Sequence, residues 1–211
     1  MRIVVFGSTG RVGGSIVRQA LDAGHEVAVY ARPASVGRLP SGVELHVGEL
    51  DDAEAIAKSI KHTDAVLSGL GPRRNTADQA TMLVGAYGRI CRAMAEAGVK
   101  RLVAISGSAT RLPNEPVSFS RGLIRTIMKI LGRHMLRANE AAAVEIMGTE
   151  LDWVLVRPPR IADGGPTGNA VADLEATASM QISVGDVARF MLQAASSDTW
   201  IHKAPFVAAA P

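Results

Sequence analysis

Three glycines, Gly7, Gly10 and Gly13, follow the apolar run Ile3 to Phe6 and lead directly into a helix-forming stretch. Residues of this type at this spacing hold phosphate. The first glycine allows a sharp turn, the second lets backbone approach a pyrophosphate, and the third lets a helix pack closely on the strand before it. The candidate phosphate site is therefore the whole turn, Gly7, Ser8, Thr9, Gly10, Arg11, Val12 and Gly13, with N–H groups at the helix start facing the anion. A tight strand-to-helix turn without a ligand is the alternative. Arg11 either adds positive charge to the site or is a solvated residue at the start of the helix.

An acidic residue ending the second strand would hold the ribose hydroxyls of NAD. None stands there. The segment HEVAVYARPAS places Arg32 at that point instead, where a guanidinium pairs with a 2′-phosphate through planar, charge-assisted hydrogen bonds. NADP(H) is accordingly preferred over NAD(H), and the competing reading is a solvated loop arginine.

These residues need a frame to position them. Apolar runs at Val27 to Tyr30, Val43 to Val47, Asp64 to Ser68, Arg101 to Ile105 and Trp153 to Val156 alternate with helical patterns. The helices run from Asp51 and Asp52 through Ile60, from Thr76 to Ala97 with Gly98 as C-cap, and from Arg137 to Met147 with Gly148 closing it. Such alternation predicts an α/β protein: a Rossmann-type, doubly wound parallel sheet with helices on both faces. Beyond Pro159 the pattern loosens. Short strands are predicted at Ala170 to Glu175, Met180 to Ser183 and Pro205 to Ala208, with a helix from Asp186 to Ala195. No linker or repeat interrupts the chain, which reads as one NAD(P)-binding domain over residues 1–211, with a small C-terminal substrate lobe from about residue 159 integral to it.

Ligands of open parallel sheets sit at the carboxyl ends of the strands. Here those ends are the glycine turn, Arg32, Glu49 with Leu50, Gly69 with Leu70 and Gly71, Ser106 to Ser108, and Pro158 to Ile161. The adenine end belongs near Arg32, Glu49 and Leu50, and the nicotinamide end near Gly71, Ser106 and Pro158.

The segments GSTGRVG, YARP, GEL, LVAISGS, ELDWVLVRPPRIADGGPTG and ISVGDVARFML together resemble the atypical short-chain dehydrogenase/reductases, in the group with biliverdin-IXβ (NADPH-flavin) reductase and NmrA-like proteins. The resemblance covers essentially the full length. It implies NADPH-dependent hydride transfer to a planar conjugated acceptor such as a flavin, a tetrapyrrole or a quinone. It also brings departures. Neither Tyr30 nor Tyr87 is followed four residues later by lysine, so the Tyr-x-x-x-Lys route to sugar epimerisation or alcohol oxidation is disfavoured. Reduction of a flavin takes its proton from solvent and chiefly requires stacked rings. Where flavin reductases commonly carry hydroxyl residues and a histidine, this chain has Ser106 and Ser108, and Arg160. An arginine cannot act as a general acid at ordinary pH but can hold an anionic group of the acceptor.

Ser106 and Ser108 are thus the catalytic candidates, each equally readable as a loop cap. Arg160 and His134 are the substrate candidates. For His134 and Glu140 a surface histidine and a helix-facing glutamate are the plain readings, although histidine titrates near neutral pH and would serve in a pocket.

Composition narrows the remaining classes. At 211 residues, 47% hydrophobic and 20% charged, the chain is of globular type, with no apolar run long enough to cross a bilayer and no signal peptide in view. Cys91, the single cysteine, falls in a helical apolar pattern and permits no intrachain disulfide, so a cytoplasmic location is expected. Five histidines without ligand spacing argue against a metal, and a net charge of +3 against a nucleic-acid specialist. One segment is uneven: Arg121, Arg125, Lys129 and Arg133 recur every four residues, a basic stripe if helical. It reads as a solvated face, or as a surface for an anionic substrate, a membrane or a partner. A small-molecule acceptor and a monomeric or homodimeric state complete the expectation. The alternative function is a non-catalytic NADP(H)-binding redox sensor.

Overall fold

The computed structural model describes residues 1–113, 115, 126 and 129–211. Among them, a six-stranded sheet runs in the order β3-β2-β1-β4-β5-β6, every neighbouring pair parallel. The strands are β1 (Arg2–Phe6), β2 (Glu26–Ala31), β3 (Glu44–Val47), β4 (Ala65–Ser68), β5 (Arg101–Ile105) and β6 (Asp152–Val156). Helices α1 (Arg11–Asp22), α2 (Ala53–Ile60), α3 (Ala77–Ala97), α4 (Arg133–Met147) and α5 (Val184–Ser196) cover it. The doubly wound Rossmann-type architecture read from the sequence is the one observed.

Strand alternation builds two cores. Val4 and Phe6 of β1 point into the layer with Ile56 of α2, Tyr87 and Ile90 of α3 and Ile146 of α4. Ile3 and Val5 point into the opposite layer with Ile16 of α1 and Val187 and Met191 of α5. Burial on both faces explains why β1 is a continuous apolar run. Local signals set the helix ends: Asp52 accepts from the N–H of Ala55 at 2.9 Å to cap α2, and Ser183 accepts from that of Asp186 at 2.9 Å to cap α5.

In the C-terminal third, β7 (Arg160–Ala162) pairs in parallel with β9 (Gln181–Ser183), while β8 (Ala170–Asp173) pairs antiparallel with β10 (Phe206–Ala209). The chain entering β10 also runs beside β6, bridging Val154 to Lys203 and Arg157 to Phe206. Asp186 secures this region. Its buried carboxylate accepts from the Thr167 N–H and hydroxyl at 2.8 and 2.7 Å, the Gly168 N–H at 3.0 Å and the Ser183 hydroxyl at 2.7 Å. Burial alone would raise its pKa, but these donors outweigh it and hold the group below the ordinary carboxylate range.

Three expectations are corrected. Residues Arg160 to Ala162, read as part of a turn, form β7. The helix expected from Arg137 begins four residues earlier, at Arg133. The basic stripe does not persist: Gly132 leaves the helical region at φ −137° and ψ 32°, so Lys129 and Arg133 belong to different helical segments. Arg121 and Arg125 lie outside the described residues.

Candidate functional site

Register brings the loops to one edge. Phe6 pairs with Tyr30 on one side and Ser68 on the other, Ser68 with Ala104, and Ile105 with Val156. The turns after β1, β2, β4, β5 and β6 therefore open at the same end, and strand order reverses between β1 and β4, where ligands of such sheets bind.

At that point the glycine turn is crowded by backbone. Gly7 adopts φ 73°, and a Cβ there would stand 2.9 Å from the carbonyl carbon of Gly69. A Cβ on Gly13 would stand 2.2 Å from the Gly7 oxygen, a clash of backbone with no flexible side chain to yield. The N–H of Gly10 donates to Gly7 O at 2.9 Å, and the first bond of α1 runs from Gly14 N to Gly10 O at 2.8 Å. No side chain caps α1 among the described residues, leaving the N–H groups of its first turn without helical partners. Beside them the Ser8 hydroxyl is buried with no partner. Open N–H groups, the positive helix end and an unsatisfied hydroxyl fit a dinucleotide pyrophosphate.

Two tyrosines shape the neighbouring turns. Tyr87, on α3 and buried, shares a 2.9 Å hydrogen bond with Ser68 Oγ, which accepts from the Leu70 N–H at 3.3 Å. This fixes the Gly69–Leu70–Gly71 turn from beneath. Burial, opposed only in part by the Ser68 bond, pushes the Tyr87 phenol up and keeps it protonated. Tyr30 donates to Glu49 O at 2.8 Å, tying β2 to the turn after β3. Burial, aided by Asp52, Glu49 and Asp51, raises its pKa to about 12.

A cavity of about 930 Å³ opens above these turns. Gly7, Ser8, Thr9 and Arg32 line it together with Glu49, Leu50, Leu70 and Gly71, all of them candidates that the sequence places at strand ends. The opposite wall carries residues it missed: Arg73, Arg74, Gln79, Met82 and Arg89. The Gln79 side chain accepts from the Arg73 N–H at 3.0 Å and so sets the path of that loop. Partial burial, with Arg32 and Arg38 close by, lowers the pKa of Arg73. Three guanidinium groups thus feel one another at this end, a concentration of like charge that an anion would relieve. The paired arginines of GPRRN, directly after a strand end rich in glycine, were the available signal.

The remaining candidates lie elsewhere. Arg11 is turned away from the cavity, with Nη2 2.6 Å from Asp163 Oδ1 and 3.2 Å from Ile161 O. Val12, Gly13 and Gly69 pack beneath the turn. At the β5 end, the Ser106 hydroxyl donates to Thr110 Oγ1 at 3.0 Å, and the Ser108 N–H donates to the buried Pro158 at 3.0 Å. Arg160 is exposed on β7. His134 accepts from Arg133 Nε at 3.1 Å through its ring, while its backbone N–H donates to Asn75 Oδ1 at 2.9 Å. Neither Arg160 nor His134 lines the cavity. Arg157, the other arginine of the RPPR turn, is 2% exposed, pairs with Glu115 and stacks 3.9 Å above the Phe206 ring. No group of metal-ligating side chains occurs among the described residues, and none of their helices is long and apolar enough to cross a membrane.

Sheet order, glycine turn and open helix start define a Rossmann-type dinucleotide-binding protein. A model of the NAD(P)H-binding family matches residues 7–198, and the chain belongs to that family. Over 156 residues it is 27% identical to (4-alkanoyl-5-oxo-2,5-dihydrofuran-3-yl)methyl phosphate reductase of Streptomyces griseus, spanning 74% of this chain and 46% of that one. The chain spans between 23% and 46% of the length of the curated relatives it matches. Among solved structures, ChuY, an anaerobillin reductase from Escherichia coli O157:H7, superposes with a TM-score of 0.80 at 18% identity, covering 99% of this chain and 97% of that one. A short-chain dehydrogenase/reductase from Veillonella parvula in complex with NADP gives 0.77 at 14% identity, covering 98% and 94%.

Proposed function

We propose that the chain is an NADPH-dependent oxidoreductase that reduces a flavin-like or quinone-like conjugated small molecule. The observation that carries the reading is that Arg32 and Arg73 line the same cavity as the glycine turn, with Arg38 near enough to Arg73 to lower its pKa. Arg32 and Arg73 bind the 2′-phosphate from two walls, the α1 N-terminus and the Ser8 hydroxyl hold the pyrophosphate, and Glu49 and Leu50 border the adenine. When bound, the nicotinamide supplies hydride. The chain's own part in the chemistry is orientation: the Gly69–Leu70–Gly71 turn, braced by Tyr87, and the β5 turn fix the site into which the acceptor stacks. Both tyrosines are engaged and hard to ionise, so solvent provides the proton. Stopped-flow mixing of protein and NADPH with FMN or menadione tests this; enzyme-dependent NADPH oxidation is expected, and its absence with both acceptors overturns it.

The same engagement of Tyr30 and Tyr87 favours a second reading, a non-catalytic NADP(H) sensor. Tight NADPH binding without turnover of any acceptor would select it.

A further inference from the structure

Beyond the cavity, a polar group beside the β5 turn is used by neither the phosphate site nor the packing. Asn139 is half-buried on α4, and a Cβ on Gly107 would stand 3.9 Å from its Nδ2. Its amide has no hydrogen-bond partner among the described residues. The helix that carries it is held at both ends of this stretch. Asn75 Oδ1 accepts from the N–H groups of His134 and Met135 at 2.9 and 3.3 Å, and Glu140 Oε1 accepts from the Arg111 N–H at 3.2 Å. Ser106, by contrast, already donates to Thr110.

We infer that Asn139 is a specificity residue that binds the lactam or imide edge of the acceptor. A primary carboxamide presents one acceptor and two donors in a plane, so it pairs simultaneously with a carbonyl and an adjacent ring N–H. A quinone offers carbonyls only and can use half of that pair. A carboxylate or ammonium on the acceptor would find no counter-charge in Asn139, which points to a neutral edge. The inference rests on the reductase reading and narrows its substrate class to conjugated rings containing an O=C–N–H edge.

Asn139→Leu keeps the four-atom branched shape of the side chain and removes both hydrogen-bonding functions. With NADPH as donor, its KM for FMN should rise roughly tenfold while that for menadione changes less than threefold. NADPH affinity and circular dichroism should match the wild type, and Asn139→Gln should recover part of the FMN effect. Binding of lumiflavin to NADP+-loaded protein, followed by fluorescence quenching, should weaken by the same factor and needs no turnover. Equal losses for FMN and menadione, an unchanged KM for FMN, or no lumiflavin binding to the wild type overturns the assignment of Asn139. Loss of all wild-type turnover with lumiflavin binding intact would instead overturn the reductase reading alone.

Discussion

Arg157 Nη1 lies 2.7 and 2.9 Å from the two carboxylate oxygens of Glu115, 42 residues away in sequence, and its Nε donates to Ala204 O at 2.8 Å. One buried guanidinium therefore joins the loop after β5, the turn after β6 and the chain entering β10. Removing one member of a buried pair leaves a charge short of its counter-ion, which costs on the order of 3 kcal/mol. Glu115→Gln should lower the urea midpoint accordingly without changing the slope.

Gly13→Ala places a methyl group against the Gly7 carbonyl, which cannot move without disturbing β1. A loss of about 2 kcal/mol and of most NADPH affinity is expected. Thermal melts with and without NADPH check this, since ligand-induced stabilisation should vanish in the variant but not in the wild type.

Tyr87→Phe removes the hydroxyl beneath the Gly69–Leu70–Gly71 turn and leaves Ser68 Oγ with Leu70 N–H as its remaining partner. The expected cost is about 1 kcal/mol in denaturant melts. Because the Tyr87 pKa is raised by burial, the pH profile of turnover should be the same in the variant and the wild type. A lost alkaline limb would show that the phenol takes part in the chemistry.

Asp186 supplies a pH dependence of stability. Its folded pKa is depressed below the unfolded value of about 3.9, so its contribution is fully present above that value and is lost as pH falls through the folded pKa. Asp186→Asn should destabilise by about 2 kcal/mol at pH 7, where four donor contacts meet a weaker, half-donor group. The gap between variant and wild type should narrow below about pH 4. A gap independent of pH would contradict the role assigned to the carboxylate.

What the sequence revealed, and what it hid, follows from the range of the interactions. β1 was legible because burial on both faces forces an unbroken apolar run, and the glycine turn because backbone crowding at Gly7 and Gly13 admits no side chain. The Arg32 side of the cavity was readable from one strand end. The Arg73 side required knowing that the β4 and β2 loops face each other across the pocket. The start of α4 was misplaced because its first N–H groups are satisfied in trans by Asn75, 59 residues earlier, rather than by a local cap. Likewise, Arg157 reads as one more arginine in RPPR until Glu115 and Phe206 are seen around it.

Arg32 and Arg73 are proposed to read the 2′-phosphate of NADPH. Calorimetric titration of NADPH and NADH into the wild type and Arg32→Ala measures it directly. NADPH should bind the wild type at least roughly tenfold more tightly than NADH, and Arg32→Ala should remove most of that difference, leaving NADH binding within about twofold. Equal weakening of both cofactors, or a wild type that binds them alike, would contradict it.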